Sequence, residues 1–380
     1  MTSITSAPIA ISDDDLKDLR ERLARTRWPD KETVTDWSQG IPLDYVQEVC
    51  RYWAESYDWR RAEAALNAFD PSVTTIDGVD IHFLHARSPE PDARPLIMTH
   101  GWPGSVFEFL QVIEPLRNPV AHGGEAADAF HVVCPSIPGY GFSGKPATSG
   151  WNIVKIAGAF AELMNRLGYP RFRAQGGDWG SIITTMLGAH HADVVDGIHL
   201  NLAIADPNAF ATLGEPTAEE QAQLGLLGVY ATVENGYAQQ QMTRPQTLGY
   251  GLADSAAGQC AWILEKFKVW SGVDHPEDGF SRDHLLDNIS AYWLTNSGAS
   301  SARLYWESLG AVFGDFTPAT APTAYSMFPS ELFQFSERWV RTRYPDLRYY
   351  GTPAAGGHFA AMQQPEIFVD EVRAGFRAIG

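Results

Sequence analysis

AQGGDWGS, Ala174 to Ser181, is the stretch that decides how this chain is read. Small residues flank one central position. That is the spacing of a nucleophile elbow, where a strand turns sharply into a helix and presents one side chain at the tip. The tip holds Asp178, where serine or cysteine is usual. "FRAQGG" before it reads as a strand and "SIITTMLGAHH" after it as a helix. A plainer reading makes Asp178 a cap on that helix, because aspartate is favoured at helix starts. The residues found further out along the chain decide between the two.

Working outward, short apolar strands recur as "PLIMTHG", "FHVVCPSIPG", "GIHLNLA", "TAYSMFPSE" and "LRYYGTPAAGGH", with helical patterns such as Ile153 to Leu167 between them. Strands alternating with helices imply an α/β protein whose sheet is mostly parallel and covered by helices on both faces. "VTTIDGVDIHFLHAR" reads as a hairpin turning at Asp77-Gly78. Upstream of it the pattern is helical only, and no strand is expected there. In "ISDDDLKDLRERLARTRWP", Ser12 can cap a helix whose first turn holds Asp13, Asp14 and Asp15, and Leu16, Leu19 and Leu23 share one face. Two more helices are expected over Leu43 to Ser56 and Trp59 to Asn67. From about Asp206 to Pro318 there is again no convincing strand, and "AWILEKFKVW" and "DHLLDNISAYWLT" are the clearest helices. An excursion that leaves the sheet and returns to it reads as a helical cap over the strand ends, where ligands of such sheets bind. The expected organisation is a helical N-terminal extension over 1–70, a core over 71–205 and 319–380, and a cap over 206–318.

The 380 residues carry a formal net charge of -18, which argues against a nucleic-acid partner and against anionic membrane surfaces. Three cysteines, Cys50, Cys134 and Cys260, occur without any Cys-x-x-Cys, so buried reduced thiols are expected rather than disulfides or a zinc knuckle. "MTSITSAPIAISDDD" has neither a basic start nor a long apolar run. The expectation is a cytoplasmic enzyme with no signal peptide and no membrane anchor.

A carboxylate nucleophile is ionised without help, its reference pKa being about 3.9. It is weak, and it needs a strained or activated electrophile. Attack at saturated carbon leaves an alkyl ester on the enzyme, which an activated water must then break. That second step calls for an oxyanion hole. One donor would be the backbone N–H of Trp179, next to the nucleophile, and the other that of Trp102 in the loop "HGWPG". The base would be a histidine late in the chain, and "AAGGHFAAMQQPE" supplies His358. Its orienting acid should lie between nucleophile and histidine: Glu331 in "SMFPSEL" is preferred to Asp206. His82, His85, His190 and His191 have no clustered carboxylates to suggest a metal. A poor alkoxide leaving group needs a proton donor, and tyrosine suits that role. Tyr230, Tyr237, Tyr250, Tyr292 and Tyr305 in the cap are all candidates, and composition does not choose among them.

Taken together, "GGDWGS", "HGWPGS", "PSIPGYGFSGKP", "RPQTLGYGLADS", "AWILEKF" and "GGHFAA" resemble epoxide hydrolases of the microsomal type. "DLKDLRERLARTRWP" is similar to the segment those enzymes carry ahead of an α/β-hydrolase fold, and the likeness runs from about Ile11 to near the C-terminus. The resemblance implies Asp178 as nucleophile, His358 as the water-activating base and Glu331 as its partner. It selects Tyr237, in "ENGYAQQQ", and Tyr305, in "ARLYWES", as the phenols that hold the epoxide oxygen. Trp102 and Trp179 would bound the substrate as well as supply amides. It further implies a small-molecule epoxide as substrate, a vicinal diol as product, and no metal or cofactor; a homodimer stays open. Two departures bear on the pocket: "MQQPE" places Gln363 and Gln364 where the family usually has an acid, and "SAAGQCAWI" puts Gln259 and Cys260 in the cap. A haloalkane dehalogenase would share the aspartate and histidine, but a halide leaves without a proton and has no use for phenols. A non-catalytic ligand-binding module on the same fold predicts a damaged Asp–Glu–His set, and the sequence retains all three.

Overall fold

The computed structural model describes residues 3–380, and its strands are short and buried along most of their length. They are β1 (Thr5–Ser6), β2 (Ser72–Ile76), β3 (Val79–Ala86), β4 (Arg94–Thr99), β5 (Phe130–Pro135), β6 (Phe172–Gly176), β7 (Val195–Leu200), β8 (Thr323–Ser326) and β9 (Leu347–Gly351). All nine join one sheet in the order β1-β2-β3-β5-β4-β6-β7-β8-β9. From β5 through β4 and β6 to β9 the neighbours run parallel, while β1, β2 and β3 form an antiparallel edge. The parallel strands are covered on both faces, so they read as continuous apolar runs rather than as alternation. Helix Leu110–Arg117 packs with Pro365–Ile379, and helix Ile153–Arg166 packs with Asp178–His190. Phe368, Val369, Val372, Phe376 and Ile379 form the buried stripe of the last helix.

The expected hairpin, the helix after residue 152 and the three N-terminal helices are all present, at Asp13–Ala24, Leu43–Glu55 and Trp59–Asn67. Ser12 Oγ accepts from the Asp15 N–H at 3.1 Å. One element departs from the reading: β1 lies upstream of the hairpin, where no strand was expected. It is a two-residue pairing of Thr5 with Val73 and Ser6 with Ser72. Its residues have no strand pattern; it forms because β2 would otherwise leave its outer backbone groups unpaired.

Between β7 and β8 the chain is helical, with no strand among the described residues. Helix Arg282–Leu294 of this block ties three parts of the molecule together. The N-terminal helices grip one side of it: Trp53 Nε1 donates to Ser290 Oγ at 2.9 Å, and Tyr57 OH donates to Asp287 Oδ1 at 2.8 Å. Arg61 pairs with the same carboxylate. The helix in turn holds the loop after β4. Asn288 Nδ2 donates to the Pro103 carbonyl, Ser105 Oγ donates to Asn288 Oδ1, and Tyr292 OH donates to the Gly104 carbonyl, each at 2.7 Å. Cys50, Cys134 and Cys260 are buried free thiols.

Asn288→Ala would strip partners from a buried hydroxyl and a buried carbonyl. The expected cost is about 2 kcal/mol of unfolding free energy, read by urea denaturation with an unchanged m-value.

Candidate active site

β6 ends at Gly176, and the next helix starts at Asp178 with Gly177 as its N-cap. Asp178 sits at φ 51°, in the left-handed region that residues with a Cβ seldom adopt. Its carboxylate does not cap the helix. It turns to the loop after β4, where Oδ1 accepts the Trp102 N–H at 2.7 Å. The approach is close enough to dictate residue type: a Cβ on Gly101 would overlap the Asp178 side chain, and one on Gly180 would overlap the Thr99 carbonyl. The Trp102–Pro103 peptide bond is cis. The first backbone bond of the helix runs from Ser181 N–H to the Gly177 carbonyl at 3.0 Å. The Trp179 N–H precedes it and has no partner within the helix.

His358 lies in the loop after β9, its own N–H donating to the Trp270 carbonyl at 2.9 Å. Its Nδ1 is 2.8 Å from Glu331 Oε1. Its Nε2 is 3.2 Å from Asp178 Oδ2, close enough for an ion pair but without hydrogen-bond alignment. Glu331 is buried after β8 and also accepts the Leu332 N–H at 2.7 Å. Asp206, the other candidate partner, is spent on the Asn208 N–H at 2.9 Å. Burial by itself lowers the His358 pKa, but the charge of Glu331, its hydrogen bond at Nδ1 and the charge of Asp178 outweigh it. The imidazole is raised well above its ordinary value.

Tyr237 comes from helix Gly236–Thr243 and Tyr305 from helix Gly298–Gly314. The Tyr237 ring stacks on Trp102 at 4.9 Å and 8°, and the Tyr305 ring meets Trp179 edge-on at 4.7 Å. The two phenol rings are 5.9 Å apart. Burial raises both hydroxyls well above the usual phenol range. Tyr305 OH makes no hydrogen bond among the described residues. Both rings face a cavity of about 420 Å³ that also exposes Asp178, Tyr230, Met242 and Phe333. Of the remaining cap tyrosines, Tyr250 is on the surface and Tyr292 is committed to Gly104.

Three residues escaped the sequence reading, and a fourth, Tyr230, was only one of five undecided cap tyrosines. Tyr230 lies on a π-helical turn, Tyr230–Glu234, and its hydroxyl is 3.1 Å from that of Tyr237. The turn leaves no sequence signal, although such turns often mark working sites. Trp270 packs against the His358 ring at 4.9 Å, and Lys266 lies over the Tyr237 ring; both looked like parts of an ordinary helix. Glu108 folds back against Gly104, whose missing Cβ makes room for its carboxyl. Burial and, less strongly, Asp178 raise that carboxyl to about 8 although His358 opposes the shift. The histidines set aside lie elsewhere: His82 Nδ1 is 3.1 Å from Ser136 Oγ, and His85 Nε2 is 3.0 Å from Tyr169 OH. His190 is 3.5 Å from Asp315. Among the described residues no cluster of three or more His, Cys, Asp or Glu could hold a metal.

Known proteins resemble this arrangement over nearly the whole chain. Residues 4–109 match the family described as epoxide hydrolase N terminus, and residues 94–251 match the alpha/beta hydrolase fold. A protein of Stigmatella aurantiaca (strain DW4/3-1), provisionally named an epoxide hydrolase, is 51% identical over 99% of this chain and 85% of its own length. Epoxide hydrolase 1 of Sus scrofa is 37% identical over 98% of this chain and 88% of its own. The crystal structure of juvenile hormone epoxide hydrolase from the silkworm Bombyx mori superposes with a TM-score of 0.90 at 32% identity. It covers 100% of this chain and 95% of that one. The Aspergillus niger epoxide hydrolase structure gives a TM-score of 0.88 at 29% identity, covering 100% and 97%. The chain is therefore a hydrolase of the α/β-hydrolase fold. Within that fold it belongs to the epoxide hydrolases of the microsomal type, with their N-terminal segment. No helix among the described residues is long and apolar enough to cross a membrane.

A raised His358 pKa means that the folded chain binds this proton more tightly than the unfolded chain does. The stability it contributes is complete below about pH 6.5, the unfolded value, and is lost as pH climbs through the folded value. Unfolding free energies of the parent and of His358→Gln, measured across that range, should therefore differ most at low pH and converge as pH rises.

Proposed function

We propose that this chain converts an epoxide and water to a vicinal diol through a covalent ester on Asp178. One observation carries the reading. A single carboxylate is tied at Oδ1 to a backbone amide and faced at Oδ2 by an imidazole, in a cavity that also presents two buried phenols. Asp178 attacks one epoxide carbon and that C–O bond breaks. Tyr237 and Tyr305 donate to the oxygen as it becomes an alkoxide.

Ester formation removes the Asp178 charge, so His358 loses one of the two carboxylates that hold its proton. Its pKa falls, and the proton it releases balances the one the alkoxide gains. The neutral Nε2, steadied by Glu331, then takes a proton from water, which attacks the ester carbonyl. General-base help of this kind is worth about 10² to 10⁴ in rate. The Trp102 and Trp179 amides hold the resulting oxyanion, each worth about 10² to 10³. Collapse returns the carboxylate and releases the diol.

In this reading residues 206–318 form the cap, 71–205 and 319–380 the core and 1–70 the extension that braces them. The cavity walls are mainly apolar, with Ile182, Leu202, Met242, Val312 and Phe333 among them, which suits epoxides with apolar substituents. The buried phenols weigh against a dehalogenase, because a departing halide takes no proton.

With enzyme in excess in heavy-oxygen water, the first turnover should give diol free of the label, its new oxygen coming from Asp178. Labelled diol in that turnover means direct attack by water and ends the proposal. His358→Gln should accumulate the ester, seen by mass spectrometry as enzyme plus epoxide, with turnover reduced at least about 10²-fold. A folded variant that forms no adduct contradicts the assigned division of labour.

A further inference from the structure

Lys266, in helix Ala256–Val269, is buried, only 6% exposed. Lysine is almost never that deep unless paired. Its Nζ is 2.7 Å from Glu265 Oε2 and 4.8 Å from the centre of the Tyr237 ring, with Trp270 at 5.7 Å. Both the ammonium and the stacked Trp102 indole thus lie within 5 Å of that ring centre. Among the described residues no cation lies over the Tyr305 ring.

We propose that Lys266 is a positioning residue that strengthens Tyr237 as the hydrogen-bond donor to the departing epoxide oxygen, making the two phenols unequal. The proposal rests on the role assigned to Tyr237 above. As the alkoxide forms, the donating phenol takes on phenolate character, and that negative charge spreads into the ring. A cation over the ring favours this state over the neutral phenol. Burial, the neighbouring Tyr230 and the Asp178 charge work the other way and weaken the phenol as an acid. Glu265 anchors the ammonium, but its side chain is 23% exposed against 7% for the lysine, so water screens the carboxylate more than the cation. Glu234 also lies in the field of the ammonium. The attraction to the neutral ring is common to both states, so only the added pull on the developing phenolate charge counts, and it is expected to be worth about tenfold in a transition state with partial proton transfer.

The test is the single-turnover rate of ester formation, measured with 1,2-epoxyoctane and with epichlorohydrin, whose alkoxide is less basic. Lys266→Met should slow ester formation by about tenfold with the alkyl epoxide and by about threefold or less with epichlorohydrin. Lys266→Arg should restore most of the rate. In a Tyr237→Phe background the lysine change should matter by less than about twofold. Tyr237→Phe should also cost more than Tyr305→Phe. If Tyr237→Phe is slow while Lys266→Met keeps the parent rate, or loses equally with both epoxides, the inference about Lys266 is wrong. If Tyr237→Phe itself keeps the parent rate, the role of Tyr237 is wrong instead. Should Lys266→Met fail to fold, Lys266→Gln carries the same comparison.

Discussion

The 2.7 Å hydrogen bond from the Trp102 amide to Asp178 Oδ1 joins the two loops on which the site is built. It spans 76 residues of sequence, from the end of β4 to the end of β6, two strands that are neighbours in the sheet. The loop after β6 turns through a left-handed aspartate. That turn brings the carboxylate into line with the amide where the parallel strands end. The packing leaves almost no slack: Gly101 and Gly180 have no room for a Cβ.

What keeps that line is a chain of polar contacts through helix Arg282–Leu294. Asn288 and Tyr292 fix the carbonyls of the loop after β4, and Asp287 and Ser290 on the same helix are held by Tyr57, Arg61 and Trp53. The N-terminal helices, remote from the carboxylate in sequence, therefore brace the loop that positions it. A ground state with His358 between two carboxylates also gives the site a built-in order of events. In the proposed reaction the imidazole would hold its proton while it faces both carboxylates and give it up, leaving a neutral base, once one of them is esterified.

Much of this was legible in the sequence, because the signals are local. The elbow glycines, the "HGWPG" loop and the hairpin at Asp77-Gly78 are fixed by steric demands that permit few residue types. Glu331 and His358 could be placed because loops after consecutive strands converge at one end of a parallel sheet. Choosing Tyr237 and Tyr305 from five cap tyrosines needed family resemblance, since composition did not distinguish among them. The rest was hidden for physical reasons. Tyr230 is set by a π-turn that costs the sequence nothing visible, and Lys266 and Trp270 read as part of an amphipathic helix until their three-dimensional neighbours are known. The β1 pairing has no pattern of its own, only an edge that accepts it.

The helix Ala218–Val229 and the turn after it stand outside the grip of the N-terminal helices. Their polar anchorage runs instead through Glu220 to Ser336 and Arg338. Leu227, Tyr230 and Ala231 from this arc form one wall of the cavity, while Leu226, Val229 and Val233 beside them face outward. Changes along this arc can reshape which molecules fit without shifting the floor beneath them. Diversification of diet, whether by evolution or in the laboratory, has an obvious place to begin.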